Sequence, residues 1–562
     1  MASILIAVIS FFAFIIAYNT YGRFLARKLF ALNADALTPA HELEDGVDYV
    51  PTKRSILFGH HYSSIAGTGP IVGPAIAVIW GWLPALLWVV LGSIFMGAVH
   101  DFGTLVISAR AKGESIGELS EKIISPRVRT LLLLIIFFTL WIVVAIFALI
   151  IGVLLIKYPM SVFAIWMEIP LALLVGYMIY KKKANLTLWS LIAVGIMYIT
   201  IYLGTFWQLS LPSIFGLPPI MVWLFILLIY AYIASTLPVT TLLQPRDYIN
   251  SHELFIGLIL LGLGLFVGHH TIVAPAIQAH PAGAPPLVPF IFITIACGAI
   301  SGFHGLVSSG TSSKQLNRET DAQMIGYGGM LLEAALAILV ILACVAGFKD
   351  TQAWNVHYIS WSAAGSLGAK VDAFVEGGAS FLASIGIGHN FALALLSVFV
   401  VSFAGTTLDT ATRIQRYVIS ELAEDYHLSF LAKRHPATIL AVGSALFLAL
   451  LKSGGEGGLI LWPLFGTVNQ LLAGLTLLVL TVYFLKRAKP ASYFWIPMLF
   501  MIIMTGWAMI VNLINFINTA DWLLVVIDVL ILLLEVWMIL EVIRIFVESR
   551  KRGQSASSHL NR

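Results

Sequence analysis

Apolar runs of about 18 residues or more, the length that crosses roughly 30 Å of hydrocarbon at 1.5 Å per residue, recur in this chain from end to end. So many of them confine the chain to one class, an all-α polytopic membrane protein, because only helices and closed barrels satisfy their backbone in lipid. Composition agrees: of 562 residues, 59% are hydrophobic and 11% charged, and the mean hydropathy is +0.95. About fifteen transmembrane helices are expected, over 2–18, 57–80, 83–107, 130–156, 161–180, 186–207, 220–243, 254–268, 287–307, 325–348, 381–404, 437–451, 458–484, 494–516 and 522–543. Around "GIGHN", within 381–404, a loop or half-helix is the alternative to a full span. The first run has no basic residue before it and no clear small-residue cleavage site after it, so it is expected to be retained.

The net charge of +4 says less than where the basic residues fall. Counting loops from an external N-terminus puts 28 of the 32 Lys and Arg residues on one side, with Lys157, Lys349, Lys370 and Lys452 on the other. The rich side is then cytoplasmic, as is the C-terminus. The two cysteines, Cys297 and Cys344, lie in apolar runs and give neither a disulfide framework nor metal-ligand spacing. The sequence contains no H-E-x-x-H and no G-x-x-x-x-G-K-[ST] motif. Neither an enzyme, a metal, a cofactor nor a nucleic-acid partner is expected.

"SSIAGTGPIVGPA", 63–75, sets three glycines and two prolines inside an apolar run and must break its helix. Its segment Ala66-Gly67-Thr68-Gly69-Pro70-Ile71 is echoed by Ala234-Ser235-Thr236-Leu237-Pro238-Val239. Five expected spans separate the two, so the copies run in opposite directions, as an inverted repeat requires. This pairing divides the chain into an extra helix and loop (1–56), two five-helix repeats (57–216 and 217–410), four extra helices with the loop before them (411–548) and a tail (549–562).

An unwound stretch survives in a membrane only where protein or a polar cavity encloses it, and its freed backbone groups become ligands. After Gly69 and Pro70, the amides of Ile71, Val72 and Gly73 would face an anion such as a carboxylate, with the helix dipole behind them. The carbonyls of Ala66 and Gly67 suit a cation, and Thr68 and Thr236 offer hydroxyls beside the interruptions at Pro70 and Pro238. Close helix packing by small residues is the alternative. A second polar set, Ser308, Ser309, Thr311, Ser312 and Ser313, could serve a weak monovalent cation site or merely cap a helix end. Ionisable residues within apolar runs are costly unless paired or solvated. His60, His61, His100, Asp101, His304 and Glu333 could carry a proton or serve as structural hydrogen-bonding groups. Glu168, Asp528 and Glu535 also lie in apolar runs, with no function evident from their spacing.

The stretches "FGHHYSSIAGTGPIVGPAIA", "GAVHDF", "LLQPRDY", "GFHGLVSSGTSSKQL", "SFAGTTLDTATRIQRY" and "LWPLFGTVNQLLAGLTL" resemble the carbon starvation protein A family of bacterial and archaeal inner-membrane transporters. The resemblance implies a LeuT/APC-type 5+5 inverted-repeat core with alternating access, and uptake of short peptides or of pyruvate with protons. Folds of that type break their first and sixth core helices, and their eighth lends hydroxyls to a cation site. These fall here on the second, seventh and ninth expected spans. Thr406, Thr407, Asp409 and Arg413 would then line the cytoplasmic end of the core, for gating or simply for folding, and gating is expected at Arg246, Asp247, Thr406, Thr407 and Asp409. Substrate binding is expected at Ala66, Gly67, Thr68, Gly69, Pro70, Ile71, Val72, Thr236 and Pro238. Coupling is expected at His61, Asp101, His304, Ser308, Ser309, Thr311, Ser312 and Glu333, to protons, with sodium as the alternative ion. A small molecule and the lipid bilayer are the expected partners, and a nutrient sensor is the alternative function. The oligomeric state is left open.

Overall fold

Two helices, α5 (Pro126–Lys157) and α14 (His389–Asp425), are enclosed by other helices over most of their apolar length. They pack along each other at the centre of the computed structural model, which describes residues 2–452 and 457–560, with side chains to 544. Around them the chain order is α1 (Ala2–Leu29), the bent pair α2 (Arg54–Ala66) and α3 (Gly69–Trp80), α4 (Trp82–Arg110), α5, α6 (Pro159–Lys181), α7 (Leu186–Gly204), α8 (Pro219–Thr236) and α9 (Leu243–Gly268). Then follow α10 (Leu287–Thr294), α11 (Gly302–Val307), α12 (Glu319–Ala346), α13 (Leu367–Ser384), α14, α15 (Arg434–Leu450), α16 (Trp462–Lys486), α17 (Ser492–Asn518) and α18 (Trp522–Arg544). The last helix runs on to Leu560 through most of the expected tail, 549–562, whose final two residues lie outside the described ones.

Among the described residues, twelve helices are long and apolar enough to cross a membrane, thirteen when α2 and α3, bent by 40°, are taken as one span. The other two expected spans take different forms. The span 437–451 is a 17-residue helix, α15. The span 287–307 is broken: α10 ends at Thr294 and α11 begins only at Gly302. Beyond Val307 the chain makes a wide π-type turn, Ser308–Ser312, and a last helical turn, Ser313–Gln315.

Two further expectations are corrected. The span 381–404 divides, because "GIGHN" falls in the turn between α13 and α14, where Gly386 adopts φ +85°. The run 220–243 does not pass through a mid-helix break. Helix α8 stops at Thr236 and α9 starts at Leu243, so Thr236 ends one span and Pro238 lies in the connection to the next. Pro238 supplies no N–H, and the Arg413 guanidinium bonds the carbonyls of Ala234 (3.3 Å) and Leu237, which would otherwise end the helix unsatisfied. Val239 N–H donates to Val47 O at 3.0 Å, fixing this turn to the loop before α2.

The packing repeats itself. The broken pair α2/α3 lies against the broken pair α10/α11, α5 lies on α14, and α8 on α15. Helix α9 covers the half-helix α2, and α16 covers the half-helix α11.

Candidate functional site

Where the two broken helices meet, only a hydrogen fits. A Cβ on Gly69 would stand 2.5 Å from Cys297 Sγ, so glycine at 69 lets the breaks touch. Gly298 adopts φ +91°, a backbone open to glycine, and its α-carbon faces Ala337 and Pro70. The half-helix ends on either side of the unwound stretch 295–301 are held from α16: Asn469 Oδ1 accepts from Phe303 N–H (2.9 Å), Asn469 Nδ2 donates to Ser301 Oγ (3.0 Å) and Gln470 Nε2 to Phe292 O (2.7 Å). This second break, which the sequence did not announce, packs against the first at Gly69 and Cys297.

At the first break, Thr68 O accepts from Ile71 N–H (3.2 Å) and Val72 N–H (2.8 Å). Two of the three amides expected to hold a carboxylate, those of Ile71 and Val72, are therefore occupied by their own chain. Thr68 is buried, and its side chain makes no capping bond. Opposite the break stands α14: Thr407 Oγ1 donates to Ser64 O (3.2 Å), Thr410 Oγ1 lies 3.1 Å from Ser64 Oγ, and Asn250 Nδ2 donates to Thr406 Oγ1 (3.1 Å). Thr406 and Thr407 thus flank the break, not the gate expected at one end of the core. Two of the hydroxyls of 308–313, those of Thr311 and Ser312, face imidazoles. His61 Nδ1 is 2.8 Å from Ser312 Oγ, and His60 Nε2 is 3.3 Å from Thr311 Oγ1. Ser309 Oγ donates to Gly305 O (2.8 Å) and accepts from Ile116 N–H (3.2 Å), while Ser308 Oγ is buried with no hydrogen-bond partner.

Three polar clusters surround this junction, all nearly free of solvent. In the first, Asp101 receives an imidazole on each oxygen, His100 Nδ1 at 2.7 Å and His304 Nδ1 at 3.0 Å, and the far nitrogen of His304 stands 3.3 Å from Glu333. All four are fully buried, and both Glu333 oxygens and His100 Nε2 lack hydrogen bonds. Cys297, His304 and Glu333 also direct ligand atoms to within 4.8 Å of one another. In the second cluster, His60 Nδ1 lies 2.5 Å from Asp247 Oδ2. In the third, Arg246 joins Glu168 (Nε to Oε1, 2.9 Å) to Asp409, with Tyr230 OH donating to Asp409 (2.9 Å) and Ser402 Oγ to Glu168 (3.1 Å). Sequence reasoning placed Arg246, Asp247 and Asp409 at a gate, but Arg246 bonds Asp409 and Asp247 binds His60. It gave Glu168 no role.

The junction is covered at both ends. On one side, Asp48 bonds Arg413 (2.5 Å) and lies 3.7 Å from Arg416, and Thr52 N–H donates to Gln315 O (3.2 Å). Burial alone would raise the Asp48 pKa, but the two guanidiniums, with help from Tyr417 and Lys314, hold it at about 2. On the other side, Tyr358 OH donates to Ala75 O (2.7 Å), and the Trp80 ring packs on Trp361.

A family model described as "Carbon starvation protein CstA" matches residues 2–360 and 351–508. The chain is 33% identical to a protein of Mycobacterium tuberculosis named "Peptide transporter CstA", over 86% of this chain and 71% of the relative. It is 34% identical to the "Pyruvate/proton symporter BtsT" of Escherichia coli, over 91% and 81%. It is also 34% identical to the "Peptide transporter CstA" of Bacillus subtilis, over 88% and 87%. Among solved structures, a manganese transporter of Eremococcus coleocola matches with a TM-score of 0.51 at 12% identity, covering 90% of this chain and 99% of that one. At that identity, the match speaks to the fold alone.

Proposed function

The chain belongs to the carbon starvation protein family of membrane transporters, and on that premise we propose that it takes up a small carboxylate-bearing nutrient, pyruvate or a short peptide, together with protons. The observation that carries this reading is the cluster His100, Asp101, His304 and Glu333 beside two broken helices: two carboxylates in the interior whose nearby partners are imidazoles. Imidazole exchanges protons near neutral pH, so its charge can change within a transport cycle. The pyruvate/proton symporter among the relatives supports protons over sodium. Hydroxyls at Thr407 and Thr410 next to Ser64 are where a sodium ion would bind if that alternative held.

The core of this reading is five plus five spans with revised limits. The first set is α2/α3, α4, α5, α8 and α9; the second is α10/α11, α12, α14, α15 and α16. Helices α6 and α7 form an inserted hairpin. Three like-with-like packings support it: broken on broken, third on third and fourth on fourth. The fifth member of each set also covers a half-helix of its own set. The substrate would lie between the breaks, near Thr68 and Gly298, and one set of helices would rock against the other to expose it to either side. The Asp48–Arg413 contact would close the cytoplasmic mouth in a bacterial or archaeal inner membrane, with the N-terminus outside and the C-terminus inside.

Purified protein in proteoliposomes tests this. Labelled pyruvate or dipeptide should accumulate under an imposed inward proton gradient, and unlabelled substrate should drive counterflow of label. Accumulation under a sodium gradient alone would replace the coupling ion, and absence of counterflow with either solute would remove the carrier reading.

A further inference from the structure

The face where α1 meets α9 and α12 carries a groove of about 540 Å³. Fourteen residues line it, and the two with polar side chains, Tyr18 and Asn19, are neighbours on α1. The rest are apolar or glycine, among them Phe11, Ile259, Gly262, Leu332 and Leu339. On α12 the lining runs from Gly328 to Leu339, about 16 Å at 1.5 Å per residue. Ile15 and Ile259, each 59% exposed, open it toward the surroundings, which at this depth in a spanning protein are hydrocarbon.

The groove is electrically lopsided. Arg23 is exposed one turn beyond Asn19 on α1, and Arg54, at the first turn of α2, stands beside Asp321, about two turns before Gly328 on α12, where Gly328 meets the Tyr18 ring. The Arg54 side chain is 61% exposed, and its one acidic neighbour, Asp321, stands 3.9 Å away. An apolar channel the width of a chain, with polar groups and two guanidiniums at one end, matches one kind of molecule: an acyl chain with a negatively charged head.

We propose that this groove binds an anionic phospholipid from the leaflet at the arginine end, one acyl chain lying along Phe11, Gly262 and Leu332 and the phosphate meeting Arg23 and Arg54. Acyl burial supplies affinity that any phospholipid shares, and the arginines select for negative charge. The wall behind the chain is Phe255 and Leu332, and Leu332 O accepts from Tyr62 OH of the half-helix α2 (3.3 Å). A bound lipid therefore sits directly behind a moving part of the proposed core.

Gly262 gives a clean test, because a Cβ added there meets nothing within 4 Å, so Gly262→Phe should fill the groove without disturbing the fold. Protein extracted in mild detergent is offered equimolar phosphatidylglycerol and phosphatidylcholine with the same acyl chains, and retained lipid is counted by native mass spectrometry. The parent should keep one lipid, with phosphatidylglycerol preferred. Gly262→Ala should behave as the parent, and Gly262→Phe should lose retention of both lipids by about tenfold, the equivalent of excluding two methylenes. Arg23→Gln with Arg54→Gln, which leaves the groove intact, should still retain lipid but lose the preference by about fivefold per arginine. Parental retention by Gly262→Phe would overturn the proposal, as would equal retention of the two lipids by the parent. So would a lipid-free parent dimer that Gly262→Phe dissociates, since a second copy would then be the occupant.

Discussion

Two buried clusters in this protein use the same acids and differ in what opposes them. Glu168 and Asp409 share Arg246, whose guanidinium stays charged at any working pH, and Tyr230 and Ser402 complete the bonding. Gly405 makes room for it, because a Cβ there would strike the guanidinium. Asp101 and Glu333 have imidazoles, His100 and His304, as their basic partners. A fixed countercharge makes the first cluster a brace between α6, α9 and α14. Imidazoles, a class of side chain that gains and loses a proton near neutral pH, oppose the acids of the second, which is the chemistry the proposed coupling site calls for. Burial alone does not separate the two, since all their members are nearly solvent-free. The nature of the counterion does.

The largest effect should come from removing the fixed charge. Arg246→Met leaves two buried carboxylates unopposed, a loss of about 3–5 kcal/mol. It should appear as a lowered thermal midpoint and poor recovery of folded protein, and a variant as stable as the parent would erase the distinction between brace and relay. Glu333→Gln should do the reverse. The protein should fold and still exchange labelled for unlabelled substrate, while accumulation driven by a proton gradient falls roughly tenfold or more, the usual range of coupling between linked sites. If gradient-driven accumulation survives in Glu333→Gln, Glu333 is structural and the two clusters are of one kind.

The contrast also explains which parts of the site were legible in the sequence. The break at 66–69 was, because glycine and proline weaken a helix through their own backbones. The break at 295–301 was not: "IACGAIS" has no proline, and the helix ends beside it are held by Asn469 and Gln470, more than 160 positions away. One local signal was present. Ile65-Ala66-Gly67 and Ile295-Ala296-Cys297-Gly298 differ by one inserted residue, a closer match in position than the longer pattern at 234–239. That longer pattern misled because small residues and proline mark helix ends as well as helix breaks. His100, Asp101, His304 and Glu333 stood out individually as ionisable groups in apolar runs, but their order of contact arises only when α4, α11 and α12 meet. Arg246 was expected in the connection between the spans 220–243 and 254–268; that α9 begins earlier, at Leu243, carries it into a helix and into the interior.

The smallest effect tests the contrast from outside. Asp48 is also held by guanidiniums, Arg413 and Arg416, but at the mouth, where its side chain is 14% exposed. Its pKa of about 2 lies below the ordinary carboxylate value. The closed contact is therefore favoured fully above about pH 4, where an unpaired aspartate is also ionised, and weakens as pH falls through 2. Between pH 5 and 8 it does not titrate. Asp48→Asn should loosen closure by about 1 kcal/mol, allowing for solvent, a roughly fivefold faster labelling of a cysteine placed at Thr52 on a cysteine-free background. The pH profile of uptake over that range should keep its shape, because the groups that shape it are the imidazoles and carboxylates of the interior. A shifted profile in Asp48→Asn would mean that an arginine-held carboxylate takes part in coupling, and a fixed countercharge would no longer mark a residue as a brace.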